Sequence, residues 1–186
     1  MGYHTFEVEQ AEKLEDSASR YRYLSAEELL WSVSPSDEEV IADLGSGTGF
    51  YTDDLAPHVG EVYAVDVQEA MHDYYRDKGV PVNVELITAE ISDLPFDTSF
   101  LDVAVSTMTY HEFAGSDALR ELARAICPDG RLVIADWSAE ELGETGPPLD
   151  ERFAAEETAS SLRNHGFKIR HQATRTETFI LVAVRE

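Results

Sequence analysis

Short apolar runs alternate along this chain with amphipathic stretches, and the alternation is regular enough to predict its elements. Residues 40–44, 62–66, 82–88, 101–106 and 131–137 are apolar runs too short for helices, so they read as buried strands. Helical periodicity fills the intervals between most of them. A helix is expected from the glycines after residue 44 to about Ala56, where Pro57 stops it, and another over 68–78, ended by Gly79 and Pro81. A third covers 116–126 with Leu119, Leu122 and Ile126 on one face, and a fourth covers 155–164. Ahead of the first strand, 8–20 and 25–33 read as two helices, the second opening with a capping box in which Ser25 and Glu28 satisfy each other's backbone donors. Pro128-Asp129-Gly130 predicts a turn, and a Gly/Pro-rich loop runs through Pro147 and Pro148.

The last two runs, 167–173 and 177–184, lie too close together for a crossover helix and must form an antiparallel hairpin. Five strand–helix units followed by that hairpin predict an α/β fold: a seven-stranded, mostly parallel sheet with one antiparallel strand and helices on both faces. Residues 1–34 are expected to form a helical lid or cap and 35–186 the binding domain, together one compact unit with no internal repeat. Ligands of such sheets sit beyond the carboxyl ends of the central strands.

Residues 40–49, VIADLGSGTG, place Gly45, Gly47 and Gly49 between the first strand and its helix. Side chains there would block close approach of a ligand to the backbone, and the helix start offers unpaired N–H donors. Asp66 ends the second strand, where a carboxylate can accept both hydroxyls of a ribose. Together they predict an adenosine-containing ligand. A nicotinamide dinucleotide is the competitor, but its loop reads G-x-G-x-x-G. Here the spacing is G-x-G-x-G, Phe50 stands where a third glycine would permit close helix packing, and the terminal hairpin is foreign to that pattern.

DLGSGTG with Asp66, then AEISDLPF, FLDVAVSTMTYHEF and CPDGRLVIADW, resemble successive motifs of class I S-adenosylmethionine-dependent methyltransferases. The resemblance runs from about residue 20 to the end. Within the family the chain is similar to the small-molecule branch typified by ubiquinone and menaquinone biosynthesis methyltransferases, including the segment GPPLDERFAAEETASSLRNHGF. This implies a Rossmann-like fold and S-adenosyl-L-methionine as cofactor. It also implies that Gly45, Ser46 and Gly47 face the methionine part, Asp66 the ribose, and Val67 and Met71 the adenine. Glu90 falls where the family usually has Asp on the adenine amino group, a longer carboxylate and a departure, and Ile91 would lend its N–H to the ring. The Thr107 carbonyl would bind the methionine amino group, assisted by Asp43.

Methyl transfer from a sulfonium is a one-step displacement, so the protein chiefly aligns the partners and excludes water. An alcohol or amine acceptor also needs a base. His111, in Tyr110-His111-Glu112 after the fourth strand, is the leading candidate; the alternative is a structural histidine that caps the next helix or bonds Glu112. Asp136, ending the fifth strand, either contacts substrate or holds a buried hydrogen bond. Tyr21 and Tyr110 are candidate substrate contacts. The cluster Tyr3, His4, Phe6, Arg20, Tyr21, Arg22 and Tyr23 forms either a lid over the acceptor or ordinary packing at the domain edge.

Several chemistries are argued down. STMTYHEF lacks the Asn/Asp-Pro-Pro-Tyr/Phe associated with nucleobase amine methylation, Cys127 lies in a turn before Pro128, and the six histidines show no paired ligand spacing, so no metal is expected. A catalytically silent cofactor-binding partner or regulatory subunit remains the alternative to an enzyme. The net charge of −23, with only Lys13, Lys78 and Lys168 as lysines, resembles proteins of salt-loving organisms and disfavours a nucleic-acid substrate. No run approaches the roughly 18 apolar residues of a membrane span, and MGYHTFEVEQAEKLED has neither a basic nor an apolar leader region. With one cysteine and hence no internal disulfide, a cytoplasmic location is expected, and the oligomeric state stays open.

Overall fold

A computed structural model describes residues 8–186. Seven strands form one sheet: β1 (Val40–Leu44), β2 (Glu61–Asp66), β3 (Val84–Thr88), β4 (Leu101–Thr107), β5 (Ile126–Trp137), β6 (Phe167–Thr174) and β7 (Thr178–Arg185). Their order is β3-β2-β1-β4-β5-β7-β6, and β7 runs antiparallel to both of its neighbours while the other pairings are parallel. The expected hairpin with one reversed strand is therefore present. The direction of winding switches between β1 and β4, the place beyond whose carboxyl ends sheets of this kind bind their ligands.

Helices α1 (Ser17–Tyr23) and α2 (Ala26–Val33) precede the sheet, and α3 (Phe50–Leu55), α4 (Glu69–Lys78), α5 (Tyr110–Phe113), α6 (Ser116–Ala125) and α7 (Ala155–Asn164) connect its strands. Successive residues of β5 point to opposite faces. Leu132 and Ile134 join a core with Leu119, Leu122, Leu162 and Phe179, whereas Val133 and Ala135 join Leu29, Val33, Tyr51 and Leu55. Both faces of the parallel strands are thus covered, as apolar runs without polar alternation require.

The structure corrects four expectations. The predicted helix over 8–20 is a 3-10 segment, Val8–Glu15, followed by α1. Asp16 divides them, because its carboxylate accepts from Ala18 N at 3.2 Å and Ser19 Oγ at 2.7 Å and so caps a new helix. The capping box at α2 is half formed: Ser25 Oγ accepts from Glu28 N at 3.2 Å, but the Glu28 carboxylate turns to Arg175 at 2.6 Å. No helix joins β3 to β4. There Phe96 and Phe100 stack at 5.5 Å and meet Tyr63 edge-on, so an aromatic loop covers that face and four connections, not five, carry helices. The turn at Pro128 lies inside β5, where the pairing with β4 jumps from Leu101↔Ile126 to Val103↔Arg131. Among the described residues no helix is long and apolar enough to cross a membrane.

Candidate active site

The site begins where β1 ends. Gly45 turns the chain with φ +74°, and its N–H and that of Ser46 donate to the Val65 carbonyl at 2.8 and 2.9 Å, tying the loop to β2. A Cβ on Gly45 would lie 2.3 Å from Thr109 Cγ2, so the close approach that glycine permits here is to β4's extension. Gly49 also differs from expectation. At φ +80° a Cβ would lie 2.2 Å from the Tyr75 ring, so packing against α4 demands this glycine and no ligand is needed to explain it.

Asp66 ties the start of α4 to the glycine loop. Its Oδ1 accepts from Gln68 N at the start of α4 and its Oδ2 from Gly47 N, both at 2.8 Å. A carboxylate offers about four lone-pair sites, so two remain for hydroxyl donors once the backbone has fixed its plane. Asp43 is buried, and its Oδ2 accepts from Thr52 Oγ1 at 2.6 Å while its Oδ1 has no partner among the described residues. Burial pushes this carboxyl up to about 6, with Thr52 and Arg20 pulling the other way and Asp66 adding to the rise. A buried acceptor left without a donor is costly, so this atom suits a ligand that brings one.

At the end of β4 the Thr107 carbonyl accepts from Thr109 Oγ1 at 3.1 Å and keeps a second lone pair. Thr109, which nothing in the sequence singled out, also reaches the Gly45 carbonyl at 3.3 Å and locks β4 to the loop. Directly after β2, Val67 stands 47% exposed. Glu90 is exposed and lines a groove of about 580 Å³ with Thr88, Ser92 and Pro95. Ile91 is half-buried against the core and Met71 is buried, and neither lines that groove.

On the other side His111 and Asp136 form a pair. His111 Nδ1 lies 3.0 Å from both carboxylate oxygens; Oδ2 also accepts from His111 N at 2.7 Å, and Oδ1 from Trp137 N at 2.8 Å. Burial pulls the imidazole pKa down, but bonding to Asp136, its charge and those of Glu112 and Glu151 outweigh this and hold it above the ordinary value. His111 thus bonds Asp136 rather than Glu112, and its Nε2 bonds no described residue. Burial pushes Glu112, whose role the sequence did not suggest, up to about 7, opposed by His111 and reinforced by Asp66 and Asp136.

The two tyrosines predicted to touch substrate lie elsewhere. Tyr21 donates to Asp54 at 2.9 Å on the flank of α3, and Tyr110 is buried against Phe113 and Phe153. A cavity of about 170 Å³ is instead lined by Leu14, Arg20, Tyr23, Tyr51, Met108 and Trp137, with the Tyr23 ring 5.0 Å from Trp137. The 3-10 segment roofs the glycine loop through Thr48 Oγ1, which donates to Glu15, and through the Lys78–Glu15 pair at 3.2 Å. Tyr3, His4 and Phe6 lie outside the described residues. Cys127 Sγ donates to the Ser99 carbonyl at 3.0 Å, and among the described residues no three His, Cys, Asp or Glu side chains are grouped to hold a metal.

Sheet order, glycine loop and the acid ending β2 together define a Rossmann-like domain of the class I methyltransferase type. Residues 42–134 match the methyltransferase domain family, and the chain belongs to it. It is 33% identical over 119 residues to the biotin biosynthesis bifunctional protein BioHC of Cellvibrio japonicus, covering 63% of this chain and 24% of that protein. It is also 33% identical over 106 residues to the ubiquinone/menaquinone biosynthesis C-methyltransferase UbiE of Idiomarina loihiensis, covering 53% and 42%. The chain thus spans less than half the length of these curated relatives. A solved S-adenosylmethionine-dependent methyltransferase from Aquifex aeolicus superposes with TM-score 0.88 at 30% identity, covering 98% of this chain and all of that one. The fold also matches, at TM-score 0.80 and 18% identity over 96% of both chains, a structure described as the complex between the Haloferax volcanii Trm112 methyltransferase activator and the putative methyltransferase.

Proposed function

We propose that this protein transfers a methyl group from S-adenosyl-L-methionine to a small-molecule acceptor, with His111 as general base. The observation that carries the cofactor assignment is Asp43 Oδ1, buried and unpartnered beside the glycine loop, where an ammonium group would supply the missing donor. When bound, the cofactor supplies an electrophilic methyl on a sulfonium. Asp43 and the Thr107 carbonyl accept from its amino group, the two spare lone-pair sites of Asp66 accept from the ribose hydroxyls, and Val67 and Glu90 bound the adenine. Trp137, Tyr23 and Met108 wall the acceptor side and exclude water. Nδ1–H held on Asp136 fixes the His111 tautomer and leaves the Nε2 lone pair for the acceptor's proton.

A small acceptor is favoured by a cavity of modest size and by relatives named for biotin and quinone biosynthesis. The charge of −23 disfavours a polyanionic one and suits a salt-rich setting, and the single cysteine suits the cytoplasm. Incubation with methyl-labelled cofactor and a dialysed or undialysed cell extract tests this. Label is expected in a dialysable product that only the undialysed extract supports. Cofactor binding with no labelled product in any extract would point to a silent binding subunit instead.

A further inference from the structure

The Trp137 ring lines the cavity beside Met108 and Tyr23, and three groups from outside β5 hold it there. The Tyr23 ring lies 5.0 Å away between centroids, and the Arg152 guanidinium stands 5.5 Å from the Trp137 centroid. The backbone of Gly146 comes so close that a Cβ on it would lie 2.5 Å from the indole. Two of these three groups belong to the strap that joins β5 to α7. Residues 142–146 of the strap are exposed, so burial of apolar surface does little to fix their place. What fixes them is a buried ion pair. Arg152 Nη1 meets Glu177 Oε2 at 3.0 Å, with the two side chains 0% and 6% exposed. Arg152 also donates from Nε to the Pro147 carbonyl at 2.9 Å and from Nη2 to the Thr145 carbonyl. Glu177 accepts from the N–H groups of Gly143 at 3.1 Å and Glu144 at 3.4 Å, and the Thr145 hydroxyl donates to Tyr23 Oη at 3.0 Å.

Stability alone does not call for this pair, since apolar residues of similar volume serve a core as well as a buried ion pair or better. Glu177 also turns the β6–β7 hairpin at φ +64°, a left-handed conformation that disfavours any residue with a Cβ and that glycine adopts freely. A turn built on Glu at that position keeps a carboxylate under the strap. The residue it secures serves two purposes, because the Trp137 N–H donates to Asp136 Oδ1 at 2.8 Å and so steadies the carboxylate that holds His111. We propose that Arg152 and Glu177 are positioning residues of methyl transfer: they clasp the strap across Trp137 and hold that ring as the wall against which an acceptor with a flat apolar face is aligned. The assignment rests on the acceptor side proposed above and acts through Trp137, with neither charged group touching the acceptor.

Trp31 and Trp137 are the chain's two tryptophans, so Trp31→Phe, at an exposed position on α2, leaves Trp137 as the sole indole reporter. In that background the full chain carrying Arg152→Gln is titrated calorimetrically with S-adenosylhomocysteine, and its indole emission is quenched with acrylamide. Transfer of labelled methyl is measured over a dilution series of undialysed extract. The variant is expected to bind S-adenosylhomocysteine as the parent does, to expose its indole to acrylamide, and to transfer about 10- to 100-fold less label at limiting extract, the range for a misaligned reactant. Arg152→Lys, which keeps the charge without the fork, should fall between the two. A clasp that serves stability alone would lower the urea midpoint and leave the quenching and transfer of the folded variant unchanged, and that result overturns the proposal. Should Arg152→Gln fail to bind S-adenosylhomocysteine, Gly146→Ala decides. At φ +83° its added methyl meets the Trp137 ring without touching the ion pair, so quenching and transfer should both change, and parental values of both overturn the assignment. If the parent itself binds S-adenosylhomocysteine yet labels nothing, the transfer reading fails and the positioning role falls with it.

Discussion

At His111 burial and a carboxylate act in opposite directions, and the carboxylate's side wins. The imidazole pKa is held above its ordinary value of about 6.5. A base must be neutral to accept a proton, so turnover should rise with pH along a limb whose midpoint lies above 6.5. Stability runs the opposite way: a raised folded pKa contributes stability fully present below the unfolded value and lost as pH rises through the folded one. The kcat/KM profile checks the assignment. Asp136→Asn should move the midpoint down, and His111→Gln should remove the limb and cost about 10²–10⁴ in rate. A limb unmoved by Asp136→Asn would remove the pair from the mechanism. The place of Asp66 at the end of β2, beside the glycine loop, was legible because it follows from the strand pattern alone. Thr109 and Glu112 were not, since their meaning lies in which neighbours the fold brings or withholds. Tyr21 lies exposed against Asp54 and Tyr110 lies in the core, and the sequence signal of an aromatic does not tell these places from the wall of a pocket.

At the scale of elements, the short apolar runs located every strand and the proximity of the last two settled the reversed one. What escaped was decided by side chains competing for backbone groups or by packing between distant segments. Asp16 divides the first predicted helix, and Tyr63, Phe96 and Phe100 pack as an aromatic cluster beside the loop from β3 to β4. The turn from β1 into α3 joins both causes: Gly49 occupies a left-handed conformation directly against the Tyr75 ring. Gly49→Ala combines the left-handed penalty with overpacking, and should destabilise the chain by about 2–4 kcal/mol in urea unfolding. A change below about 0.5 kcal/mol, the range of inconsequential surface substitutions, would show that the loop relaxes freely.

Over the whole molecule, topology and charge have separate consequences. The switch in strand order between β1 and β4 gathers Asp43, Asp66, Thr107 and the His111–Asp136 pair at one end of the sheet, although the sequence spreads them across roughly half its length. The net charge of −23 says nothing about that arrangement but repels the molecule against itself, an effect that molar salt screens to a length of roughly 3 Å. The central claim is that this end of the sheet holds an adenosine bearing an amino acid. Calorimetric titration in molar KCl with S-adenosylhomocysteine measures it most directly. Saturable one-to-one binding is expected, with Asp66→Ala weakening it at least tenfold. No heat with S-adenosylhomocysteine, together with saturable binding of NAD, would contradict the account.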